Sequence, residues 1–166
     1  MERKNLSEIR KELGELKPII HCITNPISIN QCANAILSLG ARPTMAEHPK
    51  EVKEITSSAS ALLINLGNIT DARKKSFNIS AEVASKRKIP IVIDLVGISG
   101  SEYRRKLAKK LIRKNMAIIK GNYSEIFSFC NSKYHYAGVD CDKGLTAEKI
   151  INCAANLAKK EKCVVL

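Results

Sequence analysis

Apolar residues along this chain fall into short continuous runs that alternate with stretches of helical periodicity. The apolar runs predict strands at residues 18–24, 42–45, 61–66, 89–96, 116–120 and 163–166. The periodic stretches predict helices at residues 5–16, 28–39, 49–58, 71–88, 103–114, 122–129 and 146–160. The polar segment at residues 131–144 predicts a loop.

The alternation of strands and helices is typical of βαβ units, whose strands run parallel in one sheet. The strands are continuous apolar runs rather than alternating ones, which predicts helices on both faces of the sheet. We therefore expect an α/β fold of three αβα layers with a mostly parallel sheet. The chain contains no linker or repeat, so one domain should span residues 1–166.

Composition disfavours several classes of protein. No apolar run approaches the ~20 residues of a membrane helix, and the charged start of the chain lacks the apolar segment of a signal peptide. The 6 cysteines are scattered and form no CxxC pair, so we expect reduced thiols rather than a disulfide framework. The prediction is a cytoplasmic protein with no membrane contact.

The net charge of +12 raises the alternative of a nucleic-acid surface. The basic runs at residues 86–88, 104–106 and 113–114 read instead as solvated helix faces and ends, and no aromatic residues interleave with them. We therefore predict no nucleic-acid partner. Zinc is disfavoured because the three histidines, His21, His48 and His135, show no ligand spacing.

Ligands in parallel α/β sheets bind beyond the carboxyl ends of the strands. Polar, glycine or methionine residues stand at those ends at residues 24–25, 45, 67–68, 94 and 120–122. Near the first of these strand ends the chain also carries the amides of Asn25, Asn30 and Asn34. Asn30 and Asn34 lie one turn apart in an otherwise apolar helix. Ligand binding and a hydrogen-bonded network between helix and loop both remain open for these amides.

Three further positions could carry chemistry. Asp94 ends the clearest strand, where a carboxylate can hold Mg²⁺ or, alternatively, cap a helix. Asn122 and Glu125 are three residues apart and share one helix face, which suits water around Mg²⁺ but equally a helix-capping pair. Lys120 lies two residues before Asn122 and can meet a polyphosphate as a point charge.

A series of ordered blocks resembles the hydroxyethylthiazole kinase family. The N-terminal blocks are ITN at 23–25, AN at 33–34, LGA at 39–41 followed by Pro43, and MA at 45–46. The later blocks are INLGNIT at 64–70, VIDLVG at 92–97 and IIKGNYSEI at 118–126. The resemblance covers the chain from about residue 17 onwards.

This resemblance implies a ribokinase-like fold and the transfer of the γ-phosphate of ATP, with Mg²⁺, to the hydroxyl of 4-methyl-5-(2-hydroxyethyl)thiazole in thiamine biosynthesis. By motif it assigns Met45, Asn25 and Gly67 to the thiazole pocket, Lys120 and Asn122 to ATP, and Asp94 and Glu125 to magnesium. It also implies a homotrimer with pockets at the subunit interfaces.

The sequence departs from the family pattern mildly at Ser99-Gly100-Ser101, where the family has a similar small-residue segment, and more clearly in two other places. The family usually has DPVG where this chain has Asp94-Leu95-Val96-Gly97, and loss of the proline is expected to loosen that loop. The family's anion hole and cysteine base would follow Leu166, so no catalytic base is assigned and a C-terminally truncated kinase with little activity alone is expected. The alternatives are a binding module that retains the thiazole pocket and a related kinase for another small alcohol, such as a hydroxymethylpyrimidine.

Overall fold

A computed structural model describes residues 5–112, 116–132, 134 and 146–166. Within these ranges the strands are β1 (Ile19–Ile23), β2 (Arg42–Thr44), β3 (Ala61–Asn65), β4 (Ile91–Asp94), β5 (Ile118–Lys120) and β6 (Val164–Val165). They form one sheet in the order β2-β1-β3-β4-β5-β6, in which every neighbouring pair is parallel. The predicted α/β fold with a parallel sheet is confirmed.

The helices of the described ranges are α1 (Leu6–Leu16), α2 (Ile29–Ser38), α3 (Val52–Ser58), α4 (Asp71–Arg87), α5 (Glu102–Ile112), α6 (Tyr123–Cys130) and α7 (Ala147–Glu161). Each predicted strand and helix is found, with ends that differ by a few residues at most within the described ranges; the predicted helix end at 113–114 lies outside them. The predicted loop at 131–144 lies almost wholly outside the described residues.

Local side-chain chemistry sets several helix boundaries. The Asn5 side chain accepts a hydrogen bond from the Glu8 N–H, and the Glu8 carboxylate accepts one from the Asn5 N–H, both at 2.9 Å, which makes a capping box for α1. Thr70 Oγ1 accepts from the Arg73 N–H at 3.2 Å and caps α4. Gly40 follows α2 with a φ of 89°, a conformation that favours glycine after a helix.

The two faces of the sheet are buried to different extents. The side chains of Leu62, Ile64, Ile91, Ile93 and Ile119 are completely buried, whereas the alternate residues of the same strands are mostly half-buried. Right-handed crossovers place α2 on the face opposite α3, α4 and α5. Helices lie on both faces as predicted, but α1 and α2 contain no buried residue, so they cover their face only in part.

Apolar side chains remain exposed along α1 and around α2. Leu6 is 85% exposed, Ile27 83% and Leu37 56%. Exposed apolar side chains that form one continuous patch are typical of an interaction face, which makes these elements candidates for one. Among the described residues no helix is both long enough and apolar enough to cross a membrane.

Candidate functional site

The parallel register brings the predicted polar residues to one edge of the sheet. Asn65 pairs with Asp94 across β3 and β4, and Asp94 pairs with Lys120 across β4 and β5. These three residues each end their strand, so their side chains lie side by side at the carboxyl edge. This is the edge where parallel sheets bind ligands.

Asp94 and Lys120 form an ion pair at this edge. Lys120 Nζ lies 3.2 Å from Asp94 Oδ2 and 3.3 Å from Oδ1. The Lys120 side chain is 53% exposed and that of Asp94 17% exposed, so the lysine keeps its freedom to turn towards an anion. The sequence placed these residues in separate roles, and the structure brings the two charges together.

Asn65 connects this pair to the N-terminal half of the edge. Its Nδ2 donates to Asp94 Oδ2 at 3.2 Å, and its Oδ1 accepts from Asn25 Nδ2 at 3.2 Å and from the Gly67 N–H at 2.8 Å. Asn65 is only 8% exposed. One buried amide therefore joins two residues assigned to the thiazole pocket to a residue assigned to magnesium.

Asn25 and Gly67 lie against each other. A Cβ added to Gly67 would stand 2.9 Å from Asn65 Oδ1 and 3.1 Å from Asn25 Nδ2, so only glycine leaves these amides in place. Asn25 Oδ1 also accepts from the N–H groups of Ile27 at 3.0 Å and Ser28 at 3.1 Å, which fixes the turn into α2. Met45 follows β2 directly and is half-buried, two strands away from Gly67.

Asn122 and Glu125 form a capping box at the start of α6. Asn122 Oδ1 accepts from the Glu125 N–H at 2.9 Å, and Glu125 Oε2 accepts from the Asn122 N–H at 2.8 Å. Glu125 Oε1 accepts from the Gly97 N–H at 2.7 Å, so the same carboxylate also holds the loop after β4. The capping alternative thus describes the geometry, while the roles of both residues towards ATP and magnesium stay predictions.

Burial raises the pKa of the Glu125 carboxyl, and the negative charge of Asp94 adds to the rise. The N–H groups of Gly97 and Asn122 and the Lys120 ammonium oppose it. A divalent cation beside these two carboxylates would remove the repulsion by Asp94 that contributes to the raised pKa of Glu125. The residues present therefore fit a magnesium ion that also binds phosphate oxygens and water.

Leucine at position 95 forms a backbone hydrogen bond just after β4. Leu95 is completely buried, and its N–H donates to Lys120 O at 2.9 Å. A proline could not make this bond, since it has no N–H. Loosening of the loop by loss of the family's proline stays a prediction, and the Leu95 N–H contributes one bond between neighbouring strands.

His21 links β1 to the segment after Met45. This completely buried side chain places Nε2 2.9 Å from Ala46 O and Nδ1 2.9 Å from Thr56 Oγ1. A carbonyl only accepts, so Nε2 carries a proton and donates to Ala46 O, while the Thr56 hydroxyl beside Nδ1 donates its proton to Val52 O at 2.6 Å. In the sequence analysis His21 appears only as an unsuitable zinc ligand, so this role was not predicted.

We expect acid to destabilise the protein partly through His21. Burial lowers the pKa of His21 below its ordinary 6.5, against the opposing effects of Ala46 and Glu51. The unfolded chain therefore takes up the proton first, so the stability this residue contributes is complete above pH 6.5 and lost as pH falls. His21→Gln should remove that component, which amounts to at most about 1.4 kcal/mol per pH unit.

Urea unfolding at pH values from about 5 to 7.5, the range in which histidine titrates, measures this effect. His48→Gln, the same change at an exposed histidine, should keep the pH dependence of the parent chain. Equal pH dependence in His21→Gln and the parent would contradict the assignment.

Other polar residues behave differently from expectation. Asn34 Nδ2 donates to Asn30 Oδ1 at 3.0 Å, but both side chains are exposed, so the expected buried network between helix and loop is wrong for them. Arg73, which the sequence did not single out, is 2% exposed and contacts three segments of the edge. Its position on the same helical stripe as the buried Phe77, Ser80 and Ala84 was the available signal.

A cavity of about 420 Å³ lies elsewhere, between α5, α6 and α7. Its lining includes Lys109, Phe129, Cys153 and Leu157, and none of the residues assigned to substrate or metal. Within the described residues, no group of three or more histidine, cysteine or acidic side chains is arranged as a protein-only metal cage. Magnesium at the carboxyl edge would accordingly depend on phosphate and water for its other ligands.

Comparison with known proteins identifies the family. The model of the hydroxyethylthiazole kinase family matches residues 10–166. The chain is 43% identical over 164 residues to the hydroxyethylthiazole kinase of Finegoldia magna, covering 98% of this chain and 61% of that protein. It is 52% identical over 139 residues to hydroxyethylthiazole kinase 2 of Clostridium botulinum strain Langeland, covering 81% of this chain and 52% of that protein.

The solved structures agree. The hydroxyethylthiazole kinase protein from Pyrococcus horikoshii OT3 superposes with a TM-score of 0.82 at 29% identity, over 95% of this chain and 58% of that one. Adenosine kinase from Schistosoma mansoni has the same fold, with a TM-score of 0.54 at 13% identity, over 92% of this chain and 53% of that one. The chain thus spans between half and two thirds of the length of these relatives. It belongs to the hydroxyethylthiazole kinase family.

Proposed function

We propose that this protein contributes the substrate and magnesium-nucleotide sites of a kinase that phosphorylates the hydroxyl of 4-methyl-5-(2-hydroxyethyl)thiazole. The supporting observation is the continuous line of hydrogen bonds from Asn25 through Asn65 to Asp94 and Lys120. It joins the two halves that such a reaction must hold together. In family terms the product feeds thiamine biosynthesis.

Each part of the edge has a task in this proposal. Asn25, Gly67 and Met45 hold the thiazole alcohol beside the metal half of the edge. Lys120 leaves its ion pair with Asp94 and contacts the phosphates of ATP. Asn122, which caps α6, orients the turn that faces ATP. Asp94 and Glu125 hold Mg²⁺, directly or through water. When bound, the ion neutralises the phosphate charge that opposes attack.

The proposed reaction forms one phosphorus–oxygen bond and breaks another. The alcohol oxygen forms a bond to the γ-phosphorus of ATP, and the bond from that phosphorus to the β–γ bridging oxygen breaks. ADP leaves, and the hydroxyl proton is released. Catalysis of such a transfer depends mostly on positioning and on charge stabilisation, which are the properties this edge offers.

Two assays test the proposal in the purified chain. Isothermal titration should show saturable binding of the thiazole alcohol and of ATP that depends on Mg²⁺. Phosphorus NMR of the mixture should show a phosphate monoester and ADP if the chain is a complete catalyst. Binding of both ligands without the ester supports the alternative of a binding module, whereas absence of thiazole binding contradicts the proposal.

We also propose a homotrimer in the cytosol. The apolar residues exposed on α1 and around α2 offer a surface on which further copies can pack, since patches of this kind are typical of subunit contacts. The cytosol supplies ATP and keeps the scattered thiols reduced. Sedimentation equilibrium should give the mass of three chains, and a monomer at all concentrations would contradict the trimer.

A further inference from the structure

Arg73 occupies a position that is unfavourable for an ordinary surface cation. It lies in the first turn of α4, where the helix dipole disfavours positive charge, and it is 2% exposed. Burying a charge is costly unless hydrogen bonds and an opposite charge compensate it. Hydrogen-bond acceptors around the Arg73 guanidinium must therefore compensate its buried charge.

Those acceptors come from three separate segments of the chain. Nη2 donates to the carbonyl of Thr24, which precedes Asn25. Nη1 donates to Asn68 O at 2.8 Å and to Gly67 O at 3.4 Å. Nε lies 2.6 Å from Glu47 Oε2, two residues after Met45.

Each of these segments carries one residue of the thiazole pocket, namely Asn25, Gly67 or Met45. The Asn25 side chain and the Gly67 N–H already meet at Asn65 Oδ1, but Met45 is not part of that network. The planar fork of a guanidinium donates in several fixed directions at once, so it can set the mutual positions of three loops. A lysine offers one compact charge and cannot span the same acceptors.

We propose that Arg73 is a positioning residue that holds the three segments 24–28, 45–48 and 67–69 in one arrangement, and thereby sets the affinity for the thiazole alcohol without touching it. This inference rests on the proposed function for its ligand, but not for its structural part. The three segments should move as one unit when Arg73 is replaced.

Hydrogen exchange followed by mass spectrometry tests the structural part without any ligand. In Arg73→Lys the amides of all three segments should exchange at least about tenfold faster than in the parent chain, while β3 and β4 stay protected. The matched control is Arg105→Lys. Arg105 is 3% exposed and donates to Ser128 Oγ at 2.7 Å and Tyr134 O at 2.9 Å, away from these segments.

A second variant covers the case in which Arg73→Lys does not fold. Glu47→Gln replaces the ion pair with Arg73 by at most a neutral hydrogen bond, at a side chain that is 49% exposed, and should loosen only segment 45–48. Faster exchange in fewer than three segments for Arg73→Lys, or the same pattern in Arg105→Lys, overturns the proposal. Unchanged exchange at 45–48 in Glu47→Gln overturns the proposed link to Met45.

Ligand titration then separates the two proposals. Affinity for the thiazole alcohol should fall at least about tenfold in Arg73→Lys, with Mg²⁺-dependent ATP affinity unchanged, because small misplacements of binding groups are costly. Equal losses for both ligands would indicate a merely structural role and overturn the inference. If the parent chain binds no thiazole alcohol, the proposed function fails, and hydrogen exchange still decides whether Arg73 holds the segments.

Discussion

Asp94→Asn is expected to weaken Mg²⁺-dependent ATP binding by about 10- to 100-fold, the range seen when groups that support a metal are altered. The substitution removes the negative charge that faces Lys120 at 3.2 Å and that adds to the charge beside Glu125. Asparagine retains one oxygen that can accept from Asn65, so the thiazole half of the edge should keep its affinity. Isothermal titration with ATP, with and without Mg²⁺, measures the change.

The matched control for this substitution is Asp71→Asn. Asp71 is an exposed carboxylate in the first turn of α4, and its replacement should leave ATP binding as it is. Equal ATP affinity in Asp94→Asn and the parent, at every Mg²⁺ concentration, would remove Asp94 from the metal site. A parallel loss of thiazole affinity would instead indicate a general collapse of the edge.

Asn65→Ala should have the largest effect on stability among the site variants. It removes one donor and one acceptor that together make three hydrogen bonds, with Asn25, Gly67 and Asp94. Each buried bond contributes about 1 kcal/mol, and partners left unsatisfied cost more, so the loss should reach about 2–4 kcal/mol. Urea unfolding monitored by circular dichroism gives this free energy.

Function should change in the same variant. Because Asn65 joins the thiazole half to the magnesium half, its loss should lower the affinity for both ligands rather than for one. Asn34→Ala removes an exposed amide with one bond to Asn30 and should change stability by less than about 0.5 kcal/mol. A stability loss in Asn65→Ala no larger than in Asn34→Ala would show that the connection carries little energy.

The sequence predicted the edge because the rule behind it depends on few variables. Continuous apolar runs define buried parallel strands, and parallel strands place their carboxyl ends together. Asp94 and Lys120 end adjacent strands, so the order of the strands in the sheet is enough to predict that the two side chains lie close together. The caps at Asn5 and Thr70 were likewise predictable, because capping depends on residues within one turn.

Arg73 could not be predicted in the same way. It begins a run with Lys74 and Lys75, and only its place on the apolar stripe of α4 separates it from them in the sequence. The acceptors that it contacts, such as the Thr24 and Asn68 carbonyls 49 and 5 residues away along the chain, are not indicated by that stripe. Contacts of this kind depend on the tertiary fold, which local patterns do not encode.

Asn65 and His21 show an intermediate case. Asn65 is a polar residue at the end of an apolar strand, the same signal that selected Asp94, but the predicted strand 61–66 placed the strand end at Gly67 instead. His21 lies inside an apolar run, where a buried ring needs partners for its nitrogens. Its partners, Ala46 and Thr56, come from a loop and a helix that periodicity alone does not bring together.

The most direct test of the proposed site at the carboxyl edge is a titration of the uniformly ¹⁵N-labelled chain with 4-methyl-5-(2-hydroxyethyl)thiazole, followed by amide chemical shifts. We expect saturable shifts at Asn25, Ala46 and Gly67, and at Asn65 through its hydrogen bonds. Subsequent addition of Mg²⁺-ATP should shift Lys120 and its neighbours. Absence of saturable shifts, or shifts confined to the lining of the cavity between α5, α6 and α7, would contradict the proposed site.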